Sequence, residues 1–326
     1  MPNDPRIKFS ISQGEGFKLS NAAGLAFDSE RALLLVADAG ILSFRSDNGA
    51  FVGTIPLNEQ VMQYVDVALD RTNDCILAVS SAVNAVQVFS SIDGEREFEF
   101  DLDAPLMNAT GIAIDHKLAH IIVADANSPC VHVLASIDGS FLFALEGTRK
   151  FAGPIGLAVD CERDRIIVTD CDHNVVRVFS SIDGSFLFEF GSYGKQPGQF
   201  DYPLGVCVAN QGRIIVADRC NDRLQAFTHE GHHISSFEPA SGACGVAFDE
   251  HRGLIAFSAY SLVHVIGANQ WLADTKFVWR PDLHRYAPSW MKQAISTMTM
   301  IRSVVDEGSS MSMIPNELLF EIFSFL

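Results

Sequence analysis

The sequence predicts an all-β protein, a six-bladed β-propeller of four-stranded antiparallel blades. Three observations lead there. The octapeptide Ser-Ile-Asp-Gly-Ser-Phe-Leu-Phe runs from Ser136 to Phe143 and again from Ser181 to Phe188, and a weaker copy starts at Ser91, so the period is 45 residues. A Gly-apolar-Ala-apolar-Asp opening, clearest from Gly156 to Asp160, recurs at Gly24, Asp66, Gly111, Gly156, Gly205 and Gly245. Asp-Gly lies between alternating runs, where glycine accepts the positive φ of a tight hairpin turn.

Within one unit the elements follow in order. Gly156 to Asp160 is the first strand, and the apolar run Arg165 to Asp170 is the second. Val176 to Phe179 alternates and forms the third; Ile182-Asp183-Gly184 turns the chain; Phe186 to Phe190 closes the unit. Four short runs separated by turn residues make one propeller blade. The first-strand Asp recurs at Asp28, Asp70, Asp115, Asp160 and Asp249, with Ala209 the exception. A second-strand Asp recurs at Asp38, Asp125, Asp170 and Asp218, and Ser80 and Ser258 stand for it in the other two units.

The sixth unit stops after Leu262 to Ile266 and lacks a fourth strand. Ile7 to Ile11 precedes the first opening glycine as a fourth strand precedes the opening of every other unit. This segment is therefore expected to complete the last blade, closing the ring and removing a free edge.

The chain has 326 residues, 48% of them hydrophobic, enough for a ring of residues 1–267 with an ample core. Its formal charge of −17 argues against nucleic acid, whose binding rests on neutralising phosphates. No run of 18 apolar residues is present, so no membrane span is expected. Seven scattered cysteines without a Cys-x-x-Cys pair suit reduced thiols and a cytoplasmic setting. All three Trp (Trp271, Trp279, Trp290) follow the ring, which places a boundary near Gly267.

The stretch from Gly191 to Phe227 resembles an NHL repeat. Gly198-Gln199-Phe200, Pro203-Leu204-Gly205, Val216-Ala217-Asp218, Asn221 and Arg223 carry the resemblance. It implies a six-bladed NHL propeller, in agreement with the count of units. Such propellers mostly bind proteins or RNA, and the acidic composition favours protein. A minority are lyases or lactonases with a metal in the central channel, which is the alternative function.

Loops after the second strands share one face with the links between blades. That face gathers Asn127; Cys171, Asp172, His173 and Asn174; Tyr193 and Lys195; Arg219, Asn221 and Arg223; and Tyr260 as candidate partner contacts. The repeated Asp125, Asp170 and Asp218 read instead as acceptors for backbone N–H groups of their own loops.

No catalytic, metal or cofactor residue is assigned. Asp66 is the one carboxylate at an opening position, with Asn21 and Asn108 nearby, a set suited at most to weak Ca²⁺ binding and not to acid–base work. His229-Glu230-Gly231-His232-His233 matches His-Glu-x-x-His, but it falls on a hairpin turn, not on the helix that such a zinc site needs.

Beyond the ring, residues 268–312 are expected to form a linker with an amphipathic helix at 289–305. Residues 313–326 resemble the start of an F-box, through Pro315, Glu317-Leu318-Leu319, Ile322 and Phe325-Leu326. The resemblance implies docking to a Skp1-type adaptor of a ubiquitin ligase through Leu318, Leu319, Ile322, Phe323 and Leu326. Packing of this apolar segment on the ring or on the first tail helix is the other reading.

Overall fold

The computed structural model describes residues 6–14, 16–56, 66–80, 85–100, 106, 108–238, 242–268 and 271. The chain divides into two compact units, Met1–Thr275 and Lys276–Leu326, and all described residues lie in the first. The helix expected at 289–305 and the F-box-like segment with Leu318, Leu319, Ile322, Phe323 and Leu326 lie outside the described residues.

The first unit is a six-bladed propeller of four-stranded antiparallel blades. Blade four shows the pattern: Pro154–Asp160, Arg165–Asp170, Val175–Ser180 and Phe186–Phe190, paired in sequence order from the axis outward. The first strand of each blade touches that of the next, and the first strand of blade six touches that of blade one, so the circle is shut. The period-two alternation of each strand divides its apolar side chains between two neighbours. Ile166 and Val168 face blade three, whereas Ile167 faces blade five. Six apolar clusters result among the described residues, one at each seam. Trp271 joins the cluster between blades five and six, beside Phe237 at 5.8 Å.

Blade six is completed as expected. Ile7–Ile11 pairs antiparallel with Leu262–Gly267, with Phe9 opposite Val265 and Ile11 opposite Val263. Phe9 also serves the next blade. In every hairpin between third and fourth strands, the turn glycine has positive φ and lies against the outer strand of the preceding blade. Gly94 meets Ile55, Gly139 meets Phe100, Gly184 meets Phe143 and Gly231 meets Phe190. Gly49 of blade one meets Phe9, so the N-terminal strand does for blade one what each outer strand does for its successor.

The innermost strands lie so close that a side chain would not fit. A Cβ on Gly111, Gly156 or Gly245 would overlap the carbonyl of Ile155, Leu204 or Ala23 in the following blade. A second device ties the same seams. Thr110 Oγ1 donates to Pro154 O at 3.0 Å, Thr169 Oγ1 to Leu204 O at 2.6 Å, and Ser258 Oγ to Ala23 O at 2.9 Å. Between blades five and six, Gly205 N–H donates to Cys244 O at 2.8 Å.

The strand register corrects one expectation. Ala259, not Ser258, takes the place of Asp170 and Asp218, because Ala259 faces Leu262 as Asp170 faces Val175. Ser258 instead matches Thr169 and makes the tie that closes the circle.

Truncating Phe9 should therefore loosen two blades. Phe9→Ala is expected to cost about 2 kcal/mol, or roughly 5 °C in thermal midpoint. Removal of residues 1–12 should lower the midpoint much further; a melting curve unchanged by that deletion would refute closure by this strand.

Candidate functional site: the loop face

The two faces of the ring are built differently. On one face the turns between first and second strands are capped by the first-strand Asp. Asp70 Oδ1 accepts from Thr72 and Asn73 N–H, Asp115 Oδ1 from Lys117 and Leu118 N–H, and Asp249 Oδ1 from His251 and Arg252 N–H. Charged pairs cross the seams here, such as Arg31–Asp74 at 3.0 Å and Lys117–Asp164 at 2.6 Å.

On the opposite face the second-strand Asp residues reach the preceding inter-blade link. Asp38 accepts Ser20 N–H at 2.7 Å, Asp125 accepts Asn108 N–H at 3.0 Å, Asp170 accepts Gly153 N–H at 3.1 Å, and Asp218 accepts Asp201 N–H at 2.7 Å. Asp125 and Asp170 also accept N–H groups of their own loops, from Asn127 and His173, as expected, whereas Asp218 accepts link backbone and side chains of its own loop and strand.

Blade five has the most developed version. Asp218 is buried and receives Arg223 Nε at 2.8 Å, Asn221 Nδ2 at 3.0 Å and Gln225 Nε2 at 3.0 Å. Arg223 then donates to the carbonyls of Lys195 at 2.9 Å, Gln196 at 3.1 Å and Gln199 at 2.8 Å. Asn221 reaches Gly194 O at 2.8 Å, and Gln225 clasps Gly198 N–H and Gln199 O. Phe200 plugs the base of the link against Phe190 and Phe227. The paired charge and its hydrogen bonds thus satisfy each other below the surface and fix the link 194–200.

Blade four reaches the same end with another residue. Arg177 is fully buried, with Nη2 3.1 Å from Asp170 and Nε 3.5 Å from Glu189. It donates to Arg149 O at 2.8 Å and stacks 4.6 Å from the Phe151 ring centroid. His173 Nδ1 sits between Asp170 at 2.9 Å and Arg177 at 3.1 Å. Arg177 aligns with Gln225, not with Arg223: Arg177 faces Val168 and Glu189 as Gln225 faces Val216 and Ser236. The equivalent third-strand places hold Gln87, His132 and His264 in blades two, three and six, and the apolar Leu42 in blade one. A polar residue inside an otherwise apolar third strand, repeated in five of the six blades, is the sequence signal that marks this position.

The face brings the candidate contact residues together unevenly. Asn127, Asp172, Tyr193, Lys195 and Tyr260 are exposed, with Tyr193 at 70% and Tyr260 at 53%. His173, Asn174, Arg219 and Asn221 are half-buried. Cys171 and Arg223 are buried and do not present a surface: Arg223 holds the link, and Cys171 lies beneath Asp172. Burial pushes the Cys171 thiol up to about 12, so it stays protonated. Asn174, in the left-handed conformation, accepts Tyr202 N–H at 2.8 Å and couples the loop of blade four to the link that follows it.

On the axis, Asp66 takes the place of a glycine. Its Oδ1 accepts Val67 N–H at 2.9 Å and its Oδ2 accepts Ile112 N–H at 3.0 Å, tying blade two to blade three. Desolvation pushes its pKa up to about 7, against the pull of those two N–H groups. Among the described residues no group of three or more His, Cys, Asp or Glu is placed to hold a metal ion. His229 lies in a turn and His233 in a strand, so the His-Glu-x-x-His letters do not share a helical face.

A six-bladed propeller with buried Asp-centred clamps under one loop face is the class of protein defined here. Two segments, residues 151–179 and 200–227 of blades four and five, match the NHL repeat family model. Protein lin-41 of Caenorhabditis elegans is 48% identical over 46 residues, 14% of this chain and 4% of that protein. The human E3 ubiquitin-protein ligase TRIM32 is 46% identical over 43 residues, 13% of this chain and 7% of that protein. Protein brain tumor of Drosophila melanogaster is 46% identical over 57 residues, 18% of this chain and 5% of that protein. The matched stretch thus spans well under a tenth of each relative. Among solved structures, a nidogen/laminin complex aligns with a TM-score of 0.58 at 18% identity, covering 70% of this chain and 86% of that one. A gluconolactonase from Xanthomonas campestris aligns with a TM-score of 0.61 at 15% identity, covering 76% and 86%. These two likenesses establish the fold. No helix among the described residues is long and apolar enough to cross a membrane.

Arg223→Met leaves Asp218 buried beside fewer donors and should destabilise the ring by about 3–5 kcal/mol; hydrogen exchange should speed up first at residues 194–200, and uniform exchange across the ring would contradict the clamp. Asp66 has a folded pKa raised to about 7 above its ordinary 3.8. The folded chain keeps a proton there that the unfolded chain releases, so the stabilisation is full at low pH and is lost as pH rises towards 7. The denaturation midpoint of Asp66→Asn relative to the parent should rise across that window, and a constant difference would refute it.

Proposed function

We propose that the propeller is a protein-interaction scaffold and that its partner docks on the loop face. The observation that carries this reading is Tyr193, 70% exposed, beside exposed Lys195, on a link that Arg223, Asn221 and Gln225 hold by its backbone. An exposed aromatic on a pre-ordered loop loses little entropy on binding, and Tyr is a common interface anchor. Asp172, Asn127 and Tyr260 extend the surface around the same face, and half-buried His173, Asn174 and Arg219 border it. Nucleic acid is disfavoured as a partner by the charge of −17. Seven free thiols fit a reducing, cytoplasmic setting.

The finer reading is that of a substrate receptor linked to ubiquitin-ligase machinery. Support comes from the F-box-like letters at residues 313–326 and from a relative that is itself an E3 ubiquitin-protein ligase. In this reading Leu318, Leu319, Ile322, Phe323 and Leu326 contact a Skp1-type adaptor while the propeller holds the substrate. The metal-dependent lyase or lactonase alternative draws no support from the axis, where both oxygens of Asp66 already accept backbone N–H groups.

Co-precipitation of the full chain with a purified Skp1-type adaptor tests the link. Binding should vanish when residues 313–326 are removed, and equal recovery of adaptor with both chains would end the ligase reading. Tyr193→Ala should abolish capture of a loop-face protein partner without changing the melting curve; retained capture would place the interface elsewhere.

A further inference from the structure

The repeated octapeptide has in its Ile the most exposed of its apolar letters, ahead of Phe141, Leu142 and Leu187. Its first Ser donates its backbone N–H to the neighbouring turn, as Ser136 does to Ala119 O and Ser181 to Asp164 O, both at 2.9 Å. Its Asp accepts an N–H of the hairpin, as Asp138 does from Ser140 and Asp183 from Ser185. Its Gly supplies positive φ and the contact with the preceding blade. Its second Phe, Phe143, receives the turn glycine of the next blade. The Ile does none of this. Ile92, Ile137 and Ile182 are 80%, 86% and 64% exposed.

The fold does not require isoleucine at that place. Blade one has Asp47 there and blade five has His229, with the same turn glycine two residues on. Single exposed apolar residues are ordinary, but three at equivalent positions on consecutive blades form an array. Each is followed by an exposed carboxylate, Asp93, Asp138 or Asp183. Hydrogen bonds from Ser90, Ser140 and Ser185 hold these acids below the usual carboxylate range. The hairpins lie on the face opposite the clamped loops, since they bond to the turns between first and second strands.

We propose that the hairpin tips of blades two, three and four form a second docking surface, which takes a protein segment presenting apolar side chains flanked by Lys or Arg. The three Ile side chains supply apolar anchors, and the three Asp carboxylates select a basic partner and exclude an acidic one. This surface is independent of the loop face, and neither needs the other.

The test uses the full chain and a fluorescent amphipathic Leu/Lys helical peptide, read by anisotropy. Ile92→Ser, Ile137→Ser and Ile182→Ser together should weaken binding by about tenfold or more, with an unchanged melting curve because these side chains are exposed. Ile137→Ser alone, a milder change, should weaken it by about threefold. A Leu/Glu peptide of the same pattern should bind the parent at least about tenfold more weakly, and Tyr193→Ala should bind the Leu/Lys peptide as the parent does. Equal affinity of parent and triple variant, equal affinity for the two peptides, or no binding of the Leu/Lys peptide would overturn the proposal. So would a dimer of the parent in sedimentation that the triple variant dissolves, because the surface would then belong to a second copy of this chain.

Discussion

The inner strands approach one another so closely around the axis that backbone replaces side chain at the contact. Gly111, Gly156, Gly205 and Gly245 each lie against the backbone of the following blade, and Gly24 lies against Asp66. Close approach alone leaves the seams polar and unsatisfied, so single groups tie them: Thr110, Thr169, Ser258, the Gly205 amide and Asp66. The cost of an open seam is shared by both neighbours, so the circle works as a unit. Completion of blade six by Ile7–Ile11 is the step that makes it one.

From that frame the two faces diverge. Repeated residues turn inward: first-strand Asp residues cap turns, second-strand Asp residues hold links, and in blades two to six a polar third-strand side chain lies at the same register. The buried Asp218 and Arg223 satisfy each other and hold the backbone of the link 194–200. What the blades do not share is what the loop face displays, Tyr193, Lys195, Asp172 and Tyr260. Repetition marks structure on that face. On the opposite face the repeated isoleucines invert the rule, since they recur and are exposed.

Much of the fold was legible because its determinants are periodic. The 45-residue spacing, the opening glycines and the Ile-Asp-Gly turns yield blade number, strand order and the closure by Ile7 to Ile11. The site was less legible, for physical reasons. Asn221 and Arg223 stand out as letters, but the letters do not say that Arg223 points inward to three carbonyls. Arg177 does the corresponding work from a different strand position, because a guanidinium is long enough to reach Asp170 and the link from there. Alignment by loop position therefore finds His173 and Val175 and misses Arg177. Ser258 was misaligned by one residue for a similar reason: a short hydroxyl can replace Asp in letters but not in reach, and the strand register decides between them.

The measurement that bears most directly on the account is residue-resolved hydrogen exchange of the ring. The amides of residues 7–11 that face Leu262–Gly267, and the amides of 262–267 that face them, should share one slow exchange class and lose protection together as denaturant is added, since these groups bond to one another across the last strand pair of blade six. Residues 7–11 exchanging at the rate of a free peptide, while the six inner strands remain protected, would contradict a circle closed by the chain's beginning.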